Sequence, residues 1–353
     1  MLDSILAQTK SSLVISSAAL ISFTMITSAF AQGNSQFVFQ PGSAPFASSH
    51  ASTLVELGNG SLLAAWFAGT GEGNPDVAIW SARRVNGAWT APVELAREAD
   101  VPCWNPVLFH THDHRLWLYY KFGPSPERWT AARKFSNDEG KTWSTAEHLP
   151  AGLTGPVRAK PLVLAGGTIV SGSSVESYLS WAAWIERSAD NGKTWTKIGP
   201  LVPDGGSEDS KQTFGIIQPS VVQIDGRHLR FYARSTSSIG KVVVADSYDE
   251  GATWTLPHPL DVPNPNSGID AVVLKDGRVV LVYNNSTSDR TPLNLAVSKD
   301  GEHFKMFLTL EDQPGEYSYP AMIQDSKGDL DITYTWQRKA IRFVHIARAT
   351  IPQ

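Results

Sequence analysis

The chain alternates short apolar runs with turn-forming residues from Gln36 to its end. The apolar runs are of strand length, and Gly, Asp, Asn and Ser cluster between them. No long stretch repeats its apolar residues with the helical period. This pattern predicts an all-β domain. A lone apolar run at residues 37–39 and further strands in residues 341–351 are expected to share one sheet, which would leave no exposed sheet edge.

Six of the apolar runs follow a common pattern, in which a polar or phenolic residue precedes Pro or Ala and then a strand. The six leading residues are His50, Asn105, Lys160, Gln218, Asp270 and Tyr319, at steps of 55, 55, 58, 52 and 49 residues. A repeat of this length is typical of a propeller with one sheet per repeat. The sequence therefore predicts a six-bladed β-propeller of four-stranded antiparallel sheets, with the ring closed by the N- and C-terminal strands. Each leading residue is expected to open the innermost strand of its blade, at one mouth of a central channel.

A second set of polar residues is expected at the same mouth, because an antiparallel neighbour ends beside the start of the first strand. This set consists of Lys121, Glu176, Arg234, Asn284 and Arg338. A loop of the fifth repeat adds Arg290, and the loop GTGEGNPD of the first repeat adds Glu72 and Asp76. Polar residues of different types at equivalent positions indicate a functional pocket rather than a structural repeat.

A turn motif, Ser-x-Asp-x-Gly-x-x-Trp, occurs at residues 136–143, 188–195 and 247–254. A shortened copy lies at 298–304 and a degenerate one at 81–89. Ser and Asp side chains bind turn backbone, and Gly accepts a positive φ. We expect these motifs to be structural, between the third and fourth strands and away from the pocket.

This turn motif is the Asp-box, or BNR, repeat, and the chain resembles the sialidase superfamily of six-bladed propellers. The resemblance implies that Arg234 and Arg290 bind a substrate carboxylate and that Tyr319 is the catalytic nucleophile. The acid would be Glu72 or Asp76. The chain departs from the family pattern at His50, where an arginine is expected, and at Gln218, where the family has a glutamate that activates the tyrosine. An amide cannot accept the phenolic proton.

The leading functional prediction is an exported exo-acting glycoside hydrolase that removes a terminal acidic sugar from a glycan. Arg234, Arg290 and Lys160 would form a cationic clamp, because guanidinium groups bind carboxylates in a bidentate way. His50 is predicted to transfer protons beside Tyr319. The remaining substrate-binding candidates are Gln218, Asn105, Asp270, Glu176 and Arg338.

Two other functions are compatible with these residues. A polysaccharide lyase acting on a uronate would use His50 and Tyr319 as base and acid, with the arginines neutralising the carboxylate. A non-catalytic glycan-binding propeller is the second alternative, since the glutamate partner of the tyrosine is missing. The sequence distinguishes neither these functions nor the sugar, the linkage or the oligomeric state.

Residues 1–31 have the features of a secretory signal peptide. Lys10 precedes an apolar run, and small residues end at Ala31, where cleavage is expected. One domain, residues 32–353, would then be exported to the periplasm or the extracellular space. The formal net charge of −4 gives no indication of binding to nucleic acid or to a membrane.

No cofactor and no metal site is predicted. The segment HTHDH, which contains His110, His112 and His114, is interpreted as a solvated hairpin tip. Cys103 is the only cysteine, so no intramolecular disulfide forms, and we expect its side chain to be a small buried hydrophobe.

Overall fold

The computed structural model describes residues 35–206 and 211–353, and the described chain is all-β. The first strands are β1 (Ser35–Phe37), β2 (Ser48–Glu56), β3 (Leu62–Gly69), β4 (Ala78–Val85), β5 (Ala88–Trp89), β6 (Val93–Ala96), β7 (Cys103–His110), β8 (Leu116–Phe122), β9 (Thr130–Ser136), β10 (Glu147–His148), β11 (Leu162–Val163), β12 (Ile169–Ser177), β13 (Ser180–Ser188) and β14 (Thr196–Leu201). The remaining strands are β15 (Phe214–Asp225), β16 (His228–Ser235), β17 (Lys241–Ser247), β18 (His258–Pro263), β19 (Asp270–Val273), β20 (Val279–Asn284), β21 (Leu293–Ser298), β22 (Lys305–Glu311), β23 (Tyr317–Gln324), β24 (Leu330–Trp336) and β25 (Ala340–Ile346). The described part of the chain also contains a short 3-10 helix, Arg348–Thr350.

The described strands form six antiparallel units that follow one another along the chain. The units are β2–β6, β7–β10, β11–β14, β15–β18, β19–β22, and β23–β25 with β1. In the first unit both β5 and β6 pair with β4. A short parallel pairing of β13 with β15 joins the third and fourth units into one eight-stranded sheet.

Both ends of the described chain lie in one sheet, as predicted, because β1 pairs with β25. The bounds differ from those expected. Strand β1 starts at Ser35, although the backbone of Val38 still donates to Ile341 O at 2.8 Å. Strand β25 ends at Ile346 and no strand follows it, because Asp329 accepts the backbone N–H of Arg348 and the chain turns there into the 3-10 helix.

The core lies between neighbouring units rather than within one of them. All residues of β3 are buried, although side chains on a strand alternate between its two faces. Trp66 packs in a cluster with Phe343 of the last unit, whereas Phe67 packs in a cluster with Tyr120 of the second unit. A strand buried on both faces appears in the sequence as a continuous apolar run. Each sheet is therefore stabilised by the sheets on both of its faces.

The Asp-box motifs are turns held by their own residues, as predicted. In the first well-formed copy, Ser136 Oγ accepts the N–H of Gly140 at 2.7 Å, and Asp138 Oδ1 accepts that of Thr142 at 2.8 Å. The Trp143 indole donates to Gly140 O at 3.1 Å. The copy at Ser188 makes the corresponding bonds. These motifs connect the third and fourth strands of their units. Their polar groups are satisfied within the turn.

The prediction for Cys103 is confirmed, and the prediction of a solvated hairpin tip holds for two of its three histidines, because His110 is the last residue of β7 and is half-buried. His112 and His114 are exposed in the turn between β7 and β8, and His114 has a φ of 61°. The Cys103 side chain is fully buried, and burial raises the pKa of its thiol to about 12. A thiol of that acidity is a hydrophobe rather than a nucleophile at neutral pH.

The predicted signal peptide, residues 1–31, lies outside the described residues. Among the residues that are described, we find no helix with the length and apolarity needed to cross a membrane.

Candidate functional site

Four inner strands contain a β-bulge at corresponding positions. In β2, β7, β15 and β23, two consecutive residues lie opposite one residue of the neighbouring strand. The first bulged residue has a positive φ in each case: Ala51 56°, Asn105 32°, Gln218 56° and Tyr319 51°. A bulge changes the direction of a side chain relative to the regular ladder. The repeated bulge therefore defines one structural position in each unit.

The hairpin that follows each inner strand gives the equivalent position in all six units. Each hairpin contains one pair whose members are six residues apart near its turn: Glu56↔Leu62, His110↔Leu116, Val163↔Ile169, Gln223↔Leu229, Val273↔Val279 and Gln324↔Leu330. In the fourth unit a register shift and one further pair, Asp225↔His228, follow it. Five residues before the first member of each of the six pairs stand Ala51, Asn105, Arg158, Gln218, Gly268 and Tyr319.

The predicted alignment of the six leading residues is correct in three units and wrong in three. His50 lies one residue before the equivalent position, and Lys160 and Asp270 lie two residues after it. The segments that begin with Lys160 and Asp270 resemble the others because Pro or Ala follows the polar residue. The pairing register is set by the hairpin instead, and it places Arg158 and Gly268 at the equivalent position.

The phenolic oxygen of Tyr319 is at the centre of a cationic cluster. It accepts a hydrogen bond from Arg234 Nη1 at 2.6 Å and another from Gln218 Nε2 at 3.3 Å. The guanidinium carbons of Arg158, Arg234 and Arg290 lie 5.6, 5.7 and 5.7 Å from the centre of its ring. Tyr319 is 9% exposed. The tyrosine is therefore nearly buried among positively charged groups.

Arg234 and Arg290 converge on one residue. Arg234 Nε donates to Asn266 Oδ1 at 2.8 Å, and Arg290 Nη2 donates to Asn266 O at 3.3 Å. Asn266 has a φ of 56°, a conformation that asparagine adopts more readily than most residues. The two guanidinium groups, predicted to form a clamp, are thus fixed beside the same tyrosine by the same asparagine.

Arg158 belongs to the cluster, although the sequence patterns did not reveal it. It is 3% exposed, and it donates to Ile269 O at 2.9 Å and to Pro320 O. These acceptors are uncharged carbonyl groups, so the positive charge of Arg158 remains uncompensated by direct contact. Arg158 lies five residues before Val163, the first member of the hairpin pair Val163↔Ile169, and this count locates it.

Arg338 joins the cluster through two carboxylates. Its Nε donates to Glu316 at 2.8 Å, and its Nη1 donates to Glu72. Glu316 also accepts from Arg290 at 2.8 Å. Burial raises the pKa of Glu316, but the hydrogen bond from Arg338 and the charges of both arginines outweigh it and lower that pKa. Within the described residues, four arginines at the site are therefore opposed by two directly bonded carboxylates.

The two acid candidates of the first unit occupy different positions. Glu72 is held by Arg338 at the edge of the cluster. Asp76 accepts the backbone N–H and the hydroxyl of Thr70, both at 2.8 Å, and so closes its own loop. Its carboxylate is committed to that loop.

His50 packs beside Tyr319, as predicted, with 4.3 Å between ring centres. It is 1% exposed, and its Nδ1 atom has no hydrogen-bond partner among the described residues. Burial, followed by the charges of Arg338, Arg290, Arg234 and Arg158, lowers its pKa well below the ordinary value. The imidazole is therefore neutral at neutral pH.

Half-buried Lys160 and fully buried Asp270 form an ion pair at 3.0 Å and are not bonded to the arginine cluster. Asp270 also accepts from Ser220 Oγ at 2.6 Å and from the Met322 N–H at 2.9 Å. Lys160 lines a separate cavity with Gln223 and Gln324, which lie at the hairpin ends of their strands. The pair fastens neighbouring inner strands together, and we therefore withdraw Lys160 and Asp270 as substrate-binding candidates.

Three other predicted residues have distinct environments. Asn284 donates to Pro292 O and Tyr317 O, both at 3.0 Å, and thus holds backbone. Lys121 is fully buried, donates to Pro156 O at 2.7 Å, and has a pKa lowered by burial to about 7. Glu176 is half-buried close to Arg234. Of these three, Glu176 is the one placed beside the arginine cluster.

The family model described as "BNR repeat-like domain" matches residues 60–332 of the chain. The chain belongs to this family. The BNR repeat-like chain has no match among curated proteins.

Solved structures show which fold this family member has. The NanB sialidase from Streptococcus pneumoniae superposes with a TM-score of 0.73 at 14% identity, over 90% of this chain and 71% of that one. A protein of unknown function from Dyadobacter fermentans gives a TM-score of 0.73 at 16% identity, over 89% and 98% of the two chains. The Hadza microbial sialidase Hz136 gives 0.71 at 17% identity, over 90% and 69%. The predicted sialidase-superfamily fold is confirmed.

Two site residues of this BNR repeat-like protein were not predicted by any motif. Glu316 stands three residues before Tyr319, and its pairing with two arginines required the folded loops. Asn266 binds Arg234 and Arg290 from a connection between two sheets, and no local pattern indicates it.

Proposed function

We propose that this protein is an exported, sialidase-like glycoside hydrolase that removes a terminal acidic sugar from a glycan. The observation that carries the proposal is the shared environment of Arg234, Arg290 and Tyr319. Two guanidinium groups bound to Asn266 flank one buried phenolic oxygen. Guanidinium pairs bind a carboxylate with fixed geometry, and a nearby phenolic oxygen can attack the sugar.

The charge balance of the site supports an anionic ligand. Arg158, Arg234, Arg290 and Arg338 are opposed through direct bonds by Glu316 and Glu72 in the described chain. A substrate carboxylate bound between Arg234 and Arg290 would offset the surplus of positive charge. Arg158, which contacts backbone carbonyls, would add long-range attraction in a site of low polarity.

In the proposed reaction, Tyr319 Oη forms a bond to the anomeric carbon while the bond to the aglycone oxygen breaks. The phenolic proton passes to water, and an enzyme carboxylic acid protonates the aglycone oxygen. Water then displaces the tyrosine, giving one proton to the carboxylate, and the phenolate recovers its proton from solvent. Arg234, which donates to Oη at 2.6 Å, stabilises the negative charge on that oxygen in both steps. It thereby offsets the replacement of the family glutamate by Gln218.

We further propose that the six units are blades of a closed propeller. Strand β2 contacts both β7 and β23, and β19 contacts both β15 and β23, as neighbours in a ring would. The pairing of β1 with β25 would complete the last blade. Export through cleavage near Ala31 remains part of the proposal.

Turnover of chromogenic ketosides and natural glycans that end in an acidic sugar tests the function. We expect release of the free acidic sugar by the native protein, and its loss in Tyr319→Phe. Binding of the sugar without turnover would instead favour a glycan-binding protein. Neither binding nor release across a panel of acidic sugars would contradict the proposal.

A uronate lyase is the second candidate, and the state of His50 favours it. A neutral imidazole beside the arginine cluster could remove the proton next to a neutralised carboxylate. The product distinguishes the two reactions, because β-elimination leaves an unsaturated uronate that absorbs ultraviolet light. Hydrolysis gives no such signal.

A further inference from the structure

The proposed hydrolysis requires a carboxylic acid that can protonate the leaving oxygen, and the first unit does not supply a free one. Glu72 is ion-paired with Arg338, and Asp76 is bound by Thr70. Both carboxylates are thus already engaged by donors of the protein. The proton donor should therefore be sought elsewhere in the site.

We propose that Glu176, on the hairpin between β12 and β13, is the general acid that protonates the leaving group. This inference rests on the proposed hydrolase function. It assigns the acid to the third unit, whereas the sequence pointed to the loop of the first unit.

A short chain of contacts links the hairpin of Glu176 to Arg234, and the charge of Arg234 acts on the Glu176 carboxyl. Glu176 pairs directly with Trp181 across the hairpin, and directly paired residues project from the same face of a sheet. The guanidinium carbon of Arg234 lies 5.6 Å from the Trp181 ring. The same guanidinium group donates to Tyr319 Oη. Glu176 thus lies on the same face of the hairpin as the Trp181 ring that packs against Arg234.

The hairpin is fastened to the strand that carries Gln218. Strand β13 pairs in parallel with the start of β15, through Ser180↔Phe214 and Trp181↔Gly215. A Cβ atom on Gly215 would lie 1.9 Å from Trp181 O, and one on Gly172 would lie 1.9 Å from Pro219 O. Only glycine allows backbones to approach so closely. The position of Glu176 relative to the site is therefore built into the sheet.

The surroundings of Glu176 keep its carboxyl group available for proton transfer. Its side chain makes no hydrogen bond or ion pair with any other described residue. Burial, against the charge of Arg234 and with a smaller contribution from the charge of Glu127, raises its pKa to about 7. Lys197 lines the same cavity of about 180 Å³ and is bound to Gly152 O at 2.8 Å. A carboxylic acid with a pKa near the working pH both donates and accepts a proton readily.

The proton balance of the step is simple. The neutral Glu176 carboxyl gives its proton to the aglycone oxygen as the bond to the anomeric carbon breaks, and becomes a carboxylate. That carboxylate then takes a proton from the water that attacks the tyrosine-linked sugar. Glu176 is returned to its neutral form at the end of each turnover.

The test compares the native protein, Glu176→Gln and the control Glu127→Gln on two substrates that differ only in leaving group. Glu127 lines the same cavity and interacts with Glu176, but it is not assigned to the chemistry. For Glu176→Gln we expect kcat/KM to fall about 10²–10⁴-fold on an alkyl glycoside. The fall should be far smaller on a nitrophenyl glycoside, whose leaving group needs no proton. Glu127→Gln should keep the native ratio of kcat/KM between the two substrates, because it removes only a minor contribution to the pKa of Glu176 and leaves the acid in place.

The pH profile gives a second readout that a merely structural role would not produce. Because the acid must be protonated, native kcat/KM on the alkyl glycoside should decline above a pH of about 7. This decline should be absent in Glu176→Gln and present in Glu176→Asp, which retains a carboxyl group. Melting temperatures of the three proteins establish that each is folded.

If Glu176→Gln loses activity equally on both substrates, or keeps native activity, the assignment of Glu176 as the acid is wrong. The proposed hydrolase function is not affected by either result. If a loss that is large on the alkyl glycoside and small on the nitrophenyl glycoside appears in Glu72→Gln or Asp76→Asn instead, the acid lies in the first unit. Absence of turnover by the native protein on both glycosides would overturn the hydrolase function and this inference with it.

Discussion

Arg234 and Tyr319 lie 85 residues apart in the chain and meet through a hydrogen bond of 2.6 Å from Nη1 to the phenolic oxygen. Arg234 ends the second strand of the fourth unit, and Tyr319 occupies the bulge of the last inner strand. The bond joins two residues from different units at the centre of the candidate site. Under the proposed function, Arg234 would stabilise charge that develops on this oxygen during the reaction.

Replacing Arg234 with alanine should weaken the binding of an acidic sugar by about 2–5 kcal/mol, because one charged partner of a desolvated pair is removed. Calorimetric titration with an acidic monosaccharide measures this loss. Arg227→Ala is the matched control, since Arg227 is exposed on the turn that precedes β16. Unchanged affinity in Arg234→Ala would argue against the carboxylate clamp.

Tyr319→Phe should abolish hydrolysis while leaving the melting temperature close to that of the native protein. The ring and its packing against His50 are retained, and only the oxygen bound by Arg234 and Gln218 is lost. Steady-state kinetics on a nitrophenyl glycoside provides the measurement. Tyr248→Phe, at a side chain 64% exposed, should be neutral. Substantial turnover by Tyr319→Phe would indicate that water is the nucleophile.

The state of His50 makes stability depend on pH in a defined direction. Burial and four arginines lower its folded-state pKa well below 6.5. The unfolded chain therefore binds a proton at higher pH than the folded chain does. The stability that neutral His50 contributes is present above its pKa in the unfolded chain. It is lost as the pH falls through its pKa in the folded chain. Urea unfolding below pH about 6.5 should show a smaller loss of free energy in His50→Gln than in the native protein. Equal losses would mean that His50 is charged in the folded state.

Asp270→Asn should destabilise the fold by about 1–3 kcal/mol, because it removes a buried charged acceptor that is bonded to Lys160, Ser220 and the Met322 N–H. Burial raises the pKa of Asp270, but the charges of Lys160 and Arg158 outweigh it and lower that pKa. The stability that ionised Asp270 contributes is therefore present above pH 3.8 and is lost as the pH falls through the pKa of Asp270 in the folded protein.

Asp261→Asn is the control for this ion pair, since it breaks the exposed pair with Lys241. We expect a change of at most about 1 kcal/mol there. Denaturant unfolding of both variants tests the contrast. Similar effects of the two substitutions would be inconsistent with a structural role for the Lys160–Asp270 pair.

Gly172→Ala should lower the free energy of unfolding by about 1–3 kcal/mol through overpacking. Its Cβ would meet the backbone oxygen of Pro219 at 1.9 Å, and backbone cannot move aside as a side chain can. Gly166→Ala in the same unit is the control, because no atom lies within 4 Å of a Cβ there. Denaturant titration compares the two. If Gly172→Ala has the native free energy of unfolding, strands β12 and β15 can move apart at this point without destabilising the fold.

Local features of the fold were predictable from the sequence because their interactions span few residues. In the Asp-box at Ser136, the hydroxyl, the Asp138 carboxylate and the Gly140 N–H bind one another within five positions. Tyr319, Arg234 and Arg290 were predicted from the family resemblance, and the structure brings them together. Their roles in substrate binding and catalysis remain proposals.

Register was harder to predict, because it depends on pairing between strands and not on the strand alone. The segments that begin with Lys160 and Asp270 have the same composition as the others. Their hairpins nevertheless place Lys160 and Asp270 two residues after the position that is equivalent in the six units. For the same reason Arg158 remained hidden. Its importance follows from a position opposite Tyr319 that only the paired strands define.

The sequence by itself determined an all-β chain of repeated sheets, its turn motifs and its family, because these depend on apolar periodicity and on contacts between near neighbours. Tertiary structure alone decided which charges meet. Asn266 joins Arg234 to Arg290, Glu316 joins Arg290 to Arg338, and the two arginines of each pair belong to different units. Contacts between sheets depend on how every intervening strand packs, so no short pattern in the sequence records them.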